Sequence, residues 1–410
     1  MRQCLLRFAI CLSLPASTGV QAAGWFGHAR AGFDLSDAPT SWLDGGVGRH
    51  LADAEHNRMQ IETQIAMLWE PDPAWRLYLQ ALTRGVAAGS GRHVGLVEAH
   101  LERDFFLADD RRIGLRVGQF FLPTSREAVD PLWQSRYTLT LSALNSWIAE
   151  EFRPIGIDAA WQSRDGETAE WELAATAFGG NDSAGALLAW RGFAQHDRLS
   201  VLGEVLQLPP LASLADAGEF GGQRDDGTRP FGRDLDGRIG YALRAHYGDP
   251  ERLRGFASVV DTRGDRGLHR GEYAWRTRFA VLGGEWQSGE RWTLAGEWLR
   301  GNSGMGFAPG PRVDIDFSAA YLLASFAANE NWRCSARIEH FRISDRDGVA
   351  EDNGDRGRAL TLSLFRQFGA DWRGAIELAH GTGEHAAAPP SGPAFDSGGS
   401  QLRLEIRRSF

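Results

Sequence analysis

Residues 58–84 have the sequence RMQIETQIAMLWEPDPAWRLYLQALTR, and this stretch decides the fold. From Met59 to Trp69 every second residue is apolar or a threonine, whereas the first residues between them are polar. This period of two predicts a β-strand with one apolar and one polar face. The Pro-Asp-Pro sequence at 71–73 predicts a tight turn, and a second strand follows from Trp75. The stretch therefore predicts a β-hairpin.

The same alternation recurs along the chain in about eighteen segments. Their approximate spans are 24–35, 58–70, 75–86, 93–105, 111–121, 154–163, 168–179, 185–193, 198–206, 237–247, 252–261, 271–287, 291–301, 313–327, 331–343, 357–368, 371–382 and 399–410. Most are long enough to cross the hydrocarbon of a membrane as tilted strands, which takes roughly nine to eleven residues. We therefore predict an all-β fold, a transmembrane antiparallel up-and-down β-barrel of about eighteen strands, with sixteen as the alternative.

The connections between the predicted strands are of two kinds. One kind is short and rich in turn residues, at 71–73, 108–110, 163–166, 248–250, 287–289, 329–330 and 369–370. The other kind is mostly longer, at 36–57, 122–153, 207–236, 302–312, 344–356 and 383–398. The short kind falls at one end of the predicted barrel and the long kind at the other. Tryptophans such as Trp69 and Trp75 flank the short turns, as expected at a membrane–water boundary.

Residues 1–23 are predicted to be a signal peptide and residues 24–410 the barrel. Arg2 and Arg7 supply positive charge around a short apolar stretch, and Val20 and Ala22 offer small side chains at the spacing of a cleavage site. Removal of this segment leaves Cys334 as the single cysteine, so no internal disulfide is expected. The net charge of −9 argues against a nucleic-acid partner.

Two short stretches resemble known proteins. The alternating stretch 401–410 ends in Phe410 and resembles the closing strand of bacterial outer-membrane barrels, whose terminal aromatic residue is a signal for the barrel-assembly machinery. Residues 117–123, VGQFFLP, resemble a strand end in porins of the phosphate-selective O/P type, although the glycine that follows in that pattern is replaced here by Thr124. The resemblance implies a porin-like barrel in the bacterial outer membrane, and it does not extend to phosphate selectivity.

The polar faces of the predicted strands carry charges of both signs. Charge inside a barrel must be hydrated or paired, because isolated burial is prohibitive. Some of these residues are therefore expected to form ion pairs in the wall, and others to line a permeation path, where they set ion preference. The predicted pore-lining or constriction residues are Arg58, Arg76, Arg116, Arg126, Glu127, Asp130, Arg136, Arg244, Arg276 and Arg278.

The connection 122–153 is the candidate for a constriction loop. It mixes charged residues with apolar ones such as Trp133, Leu144 and Trp147, and a purely exterior loop would not need so much apolar surface. Folding into the lumen and capping the barrel from outside both remain open for this loop.

The resulting functional hypothesis is a porin that lets small hydrophilic solutes or ions diffuse passively, with no cofactor and no metal. The alternatives are a non-conducting adhesive or structural barrel and a barrel-borne lipid hydrolase. The chain contains neither a His-Glu-x-x-His motif nor a Gly-x-Ser-x-Gly motif, so we predict that it is not an enzyme. Its expected partners are the outer-membrane bilayer, the barrel-assembly machinery and small solutes, and a homo-oligomer is compatible with the sequence.

Overall fold

The fold is known from a computed structural model that describes residues 23–85, 92–107, 110–147, 152–165, 168–180, 182–206, 208–221, 223, 234–249, 251–386 and 395–410. The predicted signal peptide lies outside these residues apart from Ala23. Its assignment therefore stays a prediction. Among the described residues, no helix is long and apolar enough to cross a membrane.

Sixteen long strands form one closed antiparallel sheet, which confirms the predicted all-β barrel in its sixteen-strand alternative. The first eight are β1 Gly24–Ser36, β2 Arg58–Asp72, β3 Trp75–Arg84, β4 Val94–Phe106, β5 Arg112–Gln119, β6 Ile155–Asp165, β7 Ala169–Gly179 and β8 Gly240–Asp249. The others are β9 Leu253–Asp261, β10 Arg276–Ser288, β11 Trp292–Gly306, β12 Arg312–Ala327, β13 Trp332–Asp345, β14 Asp355–Phe368, β15 Trp372–His385 and β16 Gly399–Ser409. Short elements are the hairpin Leu268–His269 with Glu272–Tyr273, the strand Phe395–Asp396, the 3₁₀ turn Trp42–Asp44, and the helices α1 Ala143–Ser146 and α2 Ala186–Arg191.

The first and last strands close the barrel. β1 pairs with β16 from His28 opposite Ser409 to Ser36 opposite Gln401. Beyond β16, the Phe410 amide donates to the Gly27 carbonyl at 3.0 Å, and the Phe410 carbonyl accepts from the Gly27 amide at 2.9 Å. Within the described ranges, every long strand therefore has a partner on both sides, and no edge of the barrel wall is left open to lipid.

Two of the eighteen predicted strands are wrong. Residues 185–193 contain α2, and residues 198–206 form no wall strand. The physical reason is visible in the stretch from Ala186 to Ala189, where four consecutive apolar side chains are all fully buried. A barrel strand must alternate between a lipid face and an inner face, so a stretch that is apolar on every side fits a buried helix instead.

The outer surface is an apolar belt. On β2, Met59 and Ile61 point outward while Glu62 and Gln64 are buried inside, as the alternation predicts. The same division holds on β8, where Leu243 is outside and Arg244 inside. Exposed leucine, isoleucine and valine side chains cover the middle of the wall on most strands. Such a continuous exposed apolar surface on a closed barrel is that of a membrane-spanning protein.

The short and long connections separate as predicted. Seven turns at one end have two to five residues, whereas the longest connection at the other end, residues 180–239, separates β7 from β8. Gly289 and Gly369 lie in two of the short turns with φ of +64° and +66°, a conformation that glycine adopts without strain. By the usual orientation of such barrels, the short turns face the periplasm and the long connections face outward.

The inner wall is not uniformly polar, and this corrects the predicted placement of Arg276 and Arg278. On β10, Thr277 and Phe279 are buried on the inner side. Because side chains alternate along a strand, Arg276 and Arg278 lie on the outer side. The prediction assumed that the apolar face of every strand meets lipid. Here Phe279 instead packs against Phe152 inside the barrel, with ring centroids 5.0 Å apart.

Candidate functional site

The connection between β5 and β6 turns into the barrel interior. Residues 120–122, directly after β5, are almost fully buried. Further along, the amides of Leu139 and Thr140 donate to the carboxylate of Glu377 on β15, at 2.6 and 2.9 Å. Glu377 points inward, so these two hydrogen bonds fix the loop against the inner wall. Of the two alternatives for 122–153, the described residues support folding into the lumen.

Arg337 on β13 joins this loop to the wall. Its guanidinium lies 2.8 Å from Glu127 of the loop and 2.8 Å from Glu339 of its own strand. It also donates to the Thr138 hydroxyl at 2.9 Å and the Thr140 carbonyl at 2.8 Å. A planar group with five N–H donors can satisfy several acceptors at once, which makes the burial of its charge tolerable. Glu127 is thus part of a loop-to-wall network.

A second inward segment carries α2. Trp190 of this helix is fully buried and packs edge-on against Trp275, with ring centroids 5.2 Å apart. Beyond the helix, the Phe193 amide donates to Asp355 at the start of β14 at 2.9 Å. Arg49 of the connection after β1 pairs with the same carboxylate at 2.5 Å. The segment therefore contacts the barrel wall at Asp355, which also binds Arg49 of the outer connection between β1 and β2.

Asp197 ties the second segment to the seam where the barrel closes. Its carboxylate pairs with Arg30 on β1 and with Arg403 on β16, at 2.5 Å for the latter. Burial alone would raise the pKa of Asp197, but the charges of the two arginines hold it well below its ordinary value. Asp197 is therefore ionised at any physiological pH, and we call this three-residue contact the latch.

The two inward segments also contact each other. The Leu141 amide donates to the His196 carbonyl at 3.3 Å, and the Trp147 indole donates to the Gly192 carbonyl at 3.0 Å. Together the described residues 120–147, 152–153 and 182–206 form one unit, which we call the plug. A cavity beside it, lined among others by Arg30, has a volume of about 10 Å³, roughly the space of one water molecule. The plug therefore leaves little free space next to the latch.

Three predicted site residues form ion pairs in the wall. Arg76 and Arg116 both contact Glu102, at 2.9 and 2.7 Å, and face the interior as predicted. Arg244 pairs with Asp158 at 2.9 Å, and both side chains are buried. These contacts satisfy charges within the sheet, which is the structural role considered for part of the predicted set.

Arg58 lies at the outward end of the barrel. It pairs with Asp44 and donates from Nε to the Leu51 carbonyl at 2.6 Å. Both partners belong to the connection between β1 and β2, so Arg58 anchors that connection over the mouth of the barrel.

The remaining predicted residues, Arg126, Asp130 and Arg136, lie on the plug side that faces the short turns. Arg136 pairs with Asp130 at 2.7 Å. The pKa of Arg126 is lowered by burial and then by the nearby positive charges of Arg254 and Arg136. Arg254 comes from β9, where it pairs with Glu285 at 2.9 Å.

A fourth arginine, Arg333 on β13, lies within electrostatic range of Arg136, Asp130 and Glu285. We call this group of four arginines, Arg126, Arg136, Arg254 and Arg333, the basic vestibule. Among the described residues, its four positive charges face three carboxylates, those of Asp130, Glu285 and Glu172. Sequence reasoning identified the two loop arginines, Arg126 and Arg136, and did not connect Arg254 or Arg333 to them.

The plug segment 182–206 was missed as an interior element. A signal was present, because consecutive apolar residues at 186–189 break the period of two. Outer connections such as the one containing Arg49 gave no comparable signal, since their contacts join residues far apart in the sequence.

The sequence matches no protein-family model and no curated protein. Solved structures do match in fold. Outer-membrane expressed OmpT of Vibrio cholerae has a TM-score of 0.55 at 9% identity, over 97% of this chain and 99% of that chain. An anion-selective porin from Comamonas acidovorans has a TM-score of 0.54 at 10% identity, over 95% of this chain and 99% of that chain. With its closed wall and apolar belt, the chain therefore has the fold of a porin-like barrel of the bacterial outer membrane.

Proposed function

We propose that the protein is a passive outer-membrane channel for small hydrophilic solutes, with a preference for anions. The proposal rests on the charges of the basic vestibule. Four arginines against three carboxylates leave a net positive charge at the place where the plug narrows the lumen. Fixed charges at a constriction set ion preference more strongly than charges elsewhere, because solutes pass them at close range with little intervening water.

The fold likeness to a porin described as anion-selective supports the proposal. The overall net charge of −9 does not oppose it, because screening limits each charge to a range of about 8–10 Å at physiological salt. The local balance in the vestibule therefore matters more than the sum over the chain.

The test is the reversal potential of the refolded protein in a planar bilayer under a salt gradient. The variant Arg254→Gln with Arg333→Gln removes two vestibule charges from the wall and leaves the plug sequence intact. We expect its reversal potential to move toward the cation side. The matched control, Arg103→Gln with Arg366→Gln, removes two arginines from the outer surface. A native channel that prefers cations, or an equal shift in both variants, would refute anion selection by the vestibule.

The loop part of the plug is proposed to be the constriction. Replacing residues 128–146 by a short glycine–serine linker removes the donors to Glu377 and two acceptors of Arg337, the Thr138 hydroxyl and the Thr140 carbonyl. We expect a larger single-channel conductance, because the lumen of a sixteen-strand barrel is otherwise wide enough for water. Unchanged conductance would exclude this loop as the narrowest point.

A second candidate function is a closed barrel whose outward connections do the work. The observation that favours it is the apolar packing of the plug, in which Trp147, Trp190 and Trp275 are all at most 1% exposed. Conductance measurements distinguish the two candidates, since a closed barrel gives no current steps at any voltage.

We also propose that the barrel forms homo-oligomers. One fold neighbour is described as a trimer form, at 9% identity and a TM-score of 0.54. In this chain, the outer face of β6–β9 has an open apolar groove of about 570 Å³ whose lining includes Ala159, Ala175 and Ala245. Small residues let another surface approach closely. Mass measurement of the detergent-solubilised protein would reveal a monomer or an oligomer.

A further inference from the structure

Four basic side chains lie together on the lipid-facing side of β13 and β14, near the end with the long connections. They are His340, Arg342, Arg356 and Arg358, and all four are exposed. In the register of the two strands, Arg342 stands opposite Arg356 and His340 stands opposite Arg358. We call these four residues the outer basic cluster.

The charges in this cluster are not balanced. Like charges directly opposite each other on neighbouring strands are destabilising. Arg356 has one carboxylate partner, Glu384, at 2.5 Å, and Arg342 donates only to the neutral Ser344 hydroxyl at 3.1 Å. Within the described part of the chain, Arg358 has neither an ion pair nor a hydrogen bond from its side chain. An external anion would remove the repulsion.

The cluster borders the apolar belt directly. The next outward pair toward the membrane centre is Ile338 opposite Leu360, and these side chains are 56% and 40% exposed. Positive charge therefore begins where the apolar surface ends. This is the level at which lipid head groups meet a barrel wall.

The basic surface continues toward β10 and β11. Arg278 and Arg300 face outward there and line an open groove of about 530 Å³ together with Asn302 and Asp316. Arg278 donates to the Asn302 amide oxygen at 3.2 Å, and no carboxylate among the described residues pairs with either arginine. These outward arginines give the surface positive charges on four of its five consecutive strands, β10, β11, β13 and β14.

On the opposite side of the barrel, the outer surface near the long connections is apolar. Val94, Val117 and Ile155 lie at the corresponding ends of β4, β5 and β6 and expose apolar side chains. The basic surface therefore does not extend to these three strands, and it is present although the protein as a whole carries a net charge of −9. The basic surface on β10–β14 is therefore not explained by positive charge all around this end of the barrel.

We propose that the outer basic cluster binds the phosphate group of a phosphorylated lipid in the surrounding leaflet. Guanidinium groups bind phosphate oxygens in a bidentate manner, and Arg342 and Arg358 are free to do so. The apolar surface at Ile338 and Leu360 contacts the acyl chains of the same molecule. A lipid satisfies both halves of this surface at once, whereas a free phosphate ion satisfies only the basic half.

The experiment titrates the detergent-solubilised full chain with phosphatidic acid and follows the bound lipid by native mass spectrometry. Diacylglycerol, which has the same chains without the phosphate, and inorganic phosphate are the comparison ligands. The test variant is Arg342→Gln with Arg358→Gln. The control, Arg366→Gln with Arg408→Gln, removes two outward arginines at the short-turn end, where they stack on aromatic rings.

We expect phosphatidic acid to bind more tightly than diacylglycerol and than inorganic phosphate. The test variant should weaken its binding roughly fivefold for each arginine removed, since one basic side chain at an anionic membrane surface contributes about 1 kcal/mol. The control should retain native affinity. Equal losses in both variants would show nonspecific attraction, and equal binding of inorganic phosphate would exclude a lipid site; either result overturns the proposal. Ion selectivity should not change in the test variant, so this proposal and the channel proposal can fail separately.

Discussion

The substitution Asp197→Asn should release the plug from the wall. Asp197 belongs to the plug, whereas its two partners, Arg30 and Arg403, belong to the first and last strands. Asparagine keeps the size of the side chain and removes its charge. The wall arginines keep other carboxylates, Glu62 at 2.9 Å from Arg30 and Asp34 at 3.3 Å from Arg403. The barrel should therefore stay folded while the plug loses its strongest contact with the seam.

The size of the effect follows from what the latch loses. A hydrogen bond to a charged group contributes about 1.5–3 kcal/mol, and removing one partner of a fully buried pair costs about 3–5 kcal/mol. Because the remaining carboxylates compensate part of the charge on both arginines, we expect a net loss of about 2–4 kcal/mol. This corresponds to a roughly thirty- to eight-hundred-fold rise in the ratio of displaced to seated plug.

Single-channel recording measures this ratio as the fraction of time spent in the largest conductance level. The control is Asp158→Asn, which also removes a buried carboxylate from an arginine pair, the one with Arg244 at 2.9 Å. Asp158 and Arg244 both belong to wall strands, so this change lowers stability without touching the latch. If Asp197→Asn and Asp158→Asn give the same open fraction, the reasoning about the latch is wrong.

Two further predictions concern pH and assembly. Burial raises the pKa of Asp182, in the plug, to about 6, above the roughly 3.9 of an unfolded chain. As pH falls from 7 toward 4, the seated plug therefore binds a proton at Asp182 before an unfolded chain would, and the seated state gains stability. The open fraction should therefore fall below about pH 6, and Asp182→Asn should abolish this dependence; a native channel with no change between pH 7 and pH 5 would contradict it. Phe410→Ala should lower the yield of folded barrel in cells, because it removes the aromatic ring that lies against Gly27 on the first strand. Phe368→Ala at the same end should not lower the yield; equal yields measured by heat-modifiable gel migration would count against an assembly role.

Local patterns predicted the wall well, for a physical reason. A strand such as β2 meets lipid on one face and the interior on the other, so Met59 and Glu62 must alternate in polarity. The signal lies within neighbouring residues and needs no knowledge of the rest of the chain. The predicted number of strands was too high only at 185–193 and 198–206. The apolar residues of these two segments pack inside the barrel as part of the plug.

The candidate site was less accessible to such reasoning. Arg126 and Arg136 were identified because a long loop mixed charge with apolar residues, yet their companions Arg254 and Arg333 come from strands far away in the sequence. Arg278 was assigned to the pore because its neighbours are apolar, and the structure places it on the outside. An alternating pattern indicates that the two faces of a strand differ in polarity. It does not indicate which face meets lipid when the barrel interior is also apolar.

The sequence alone determined that this chain forms a closed, membrane-spanning barrel with short turns at one end, because period-two alternation and turn chemistry are local properties. Only the tertiary structure decided that two connections fold inward to form the plug, that Asp197 joins it to the closing seam, and that the apolar face of β10 points inward. Those outcomes depend on contacts between residues far apart in the chain, such as Asp197 with Arg30 and Arg403. No pattern within a short stretch of sequence records which distant partner a side chain will meet.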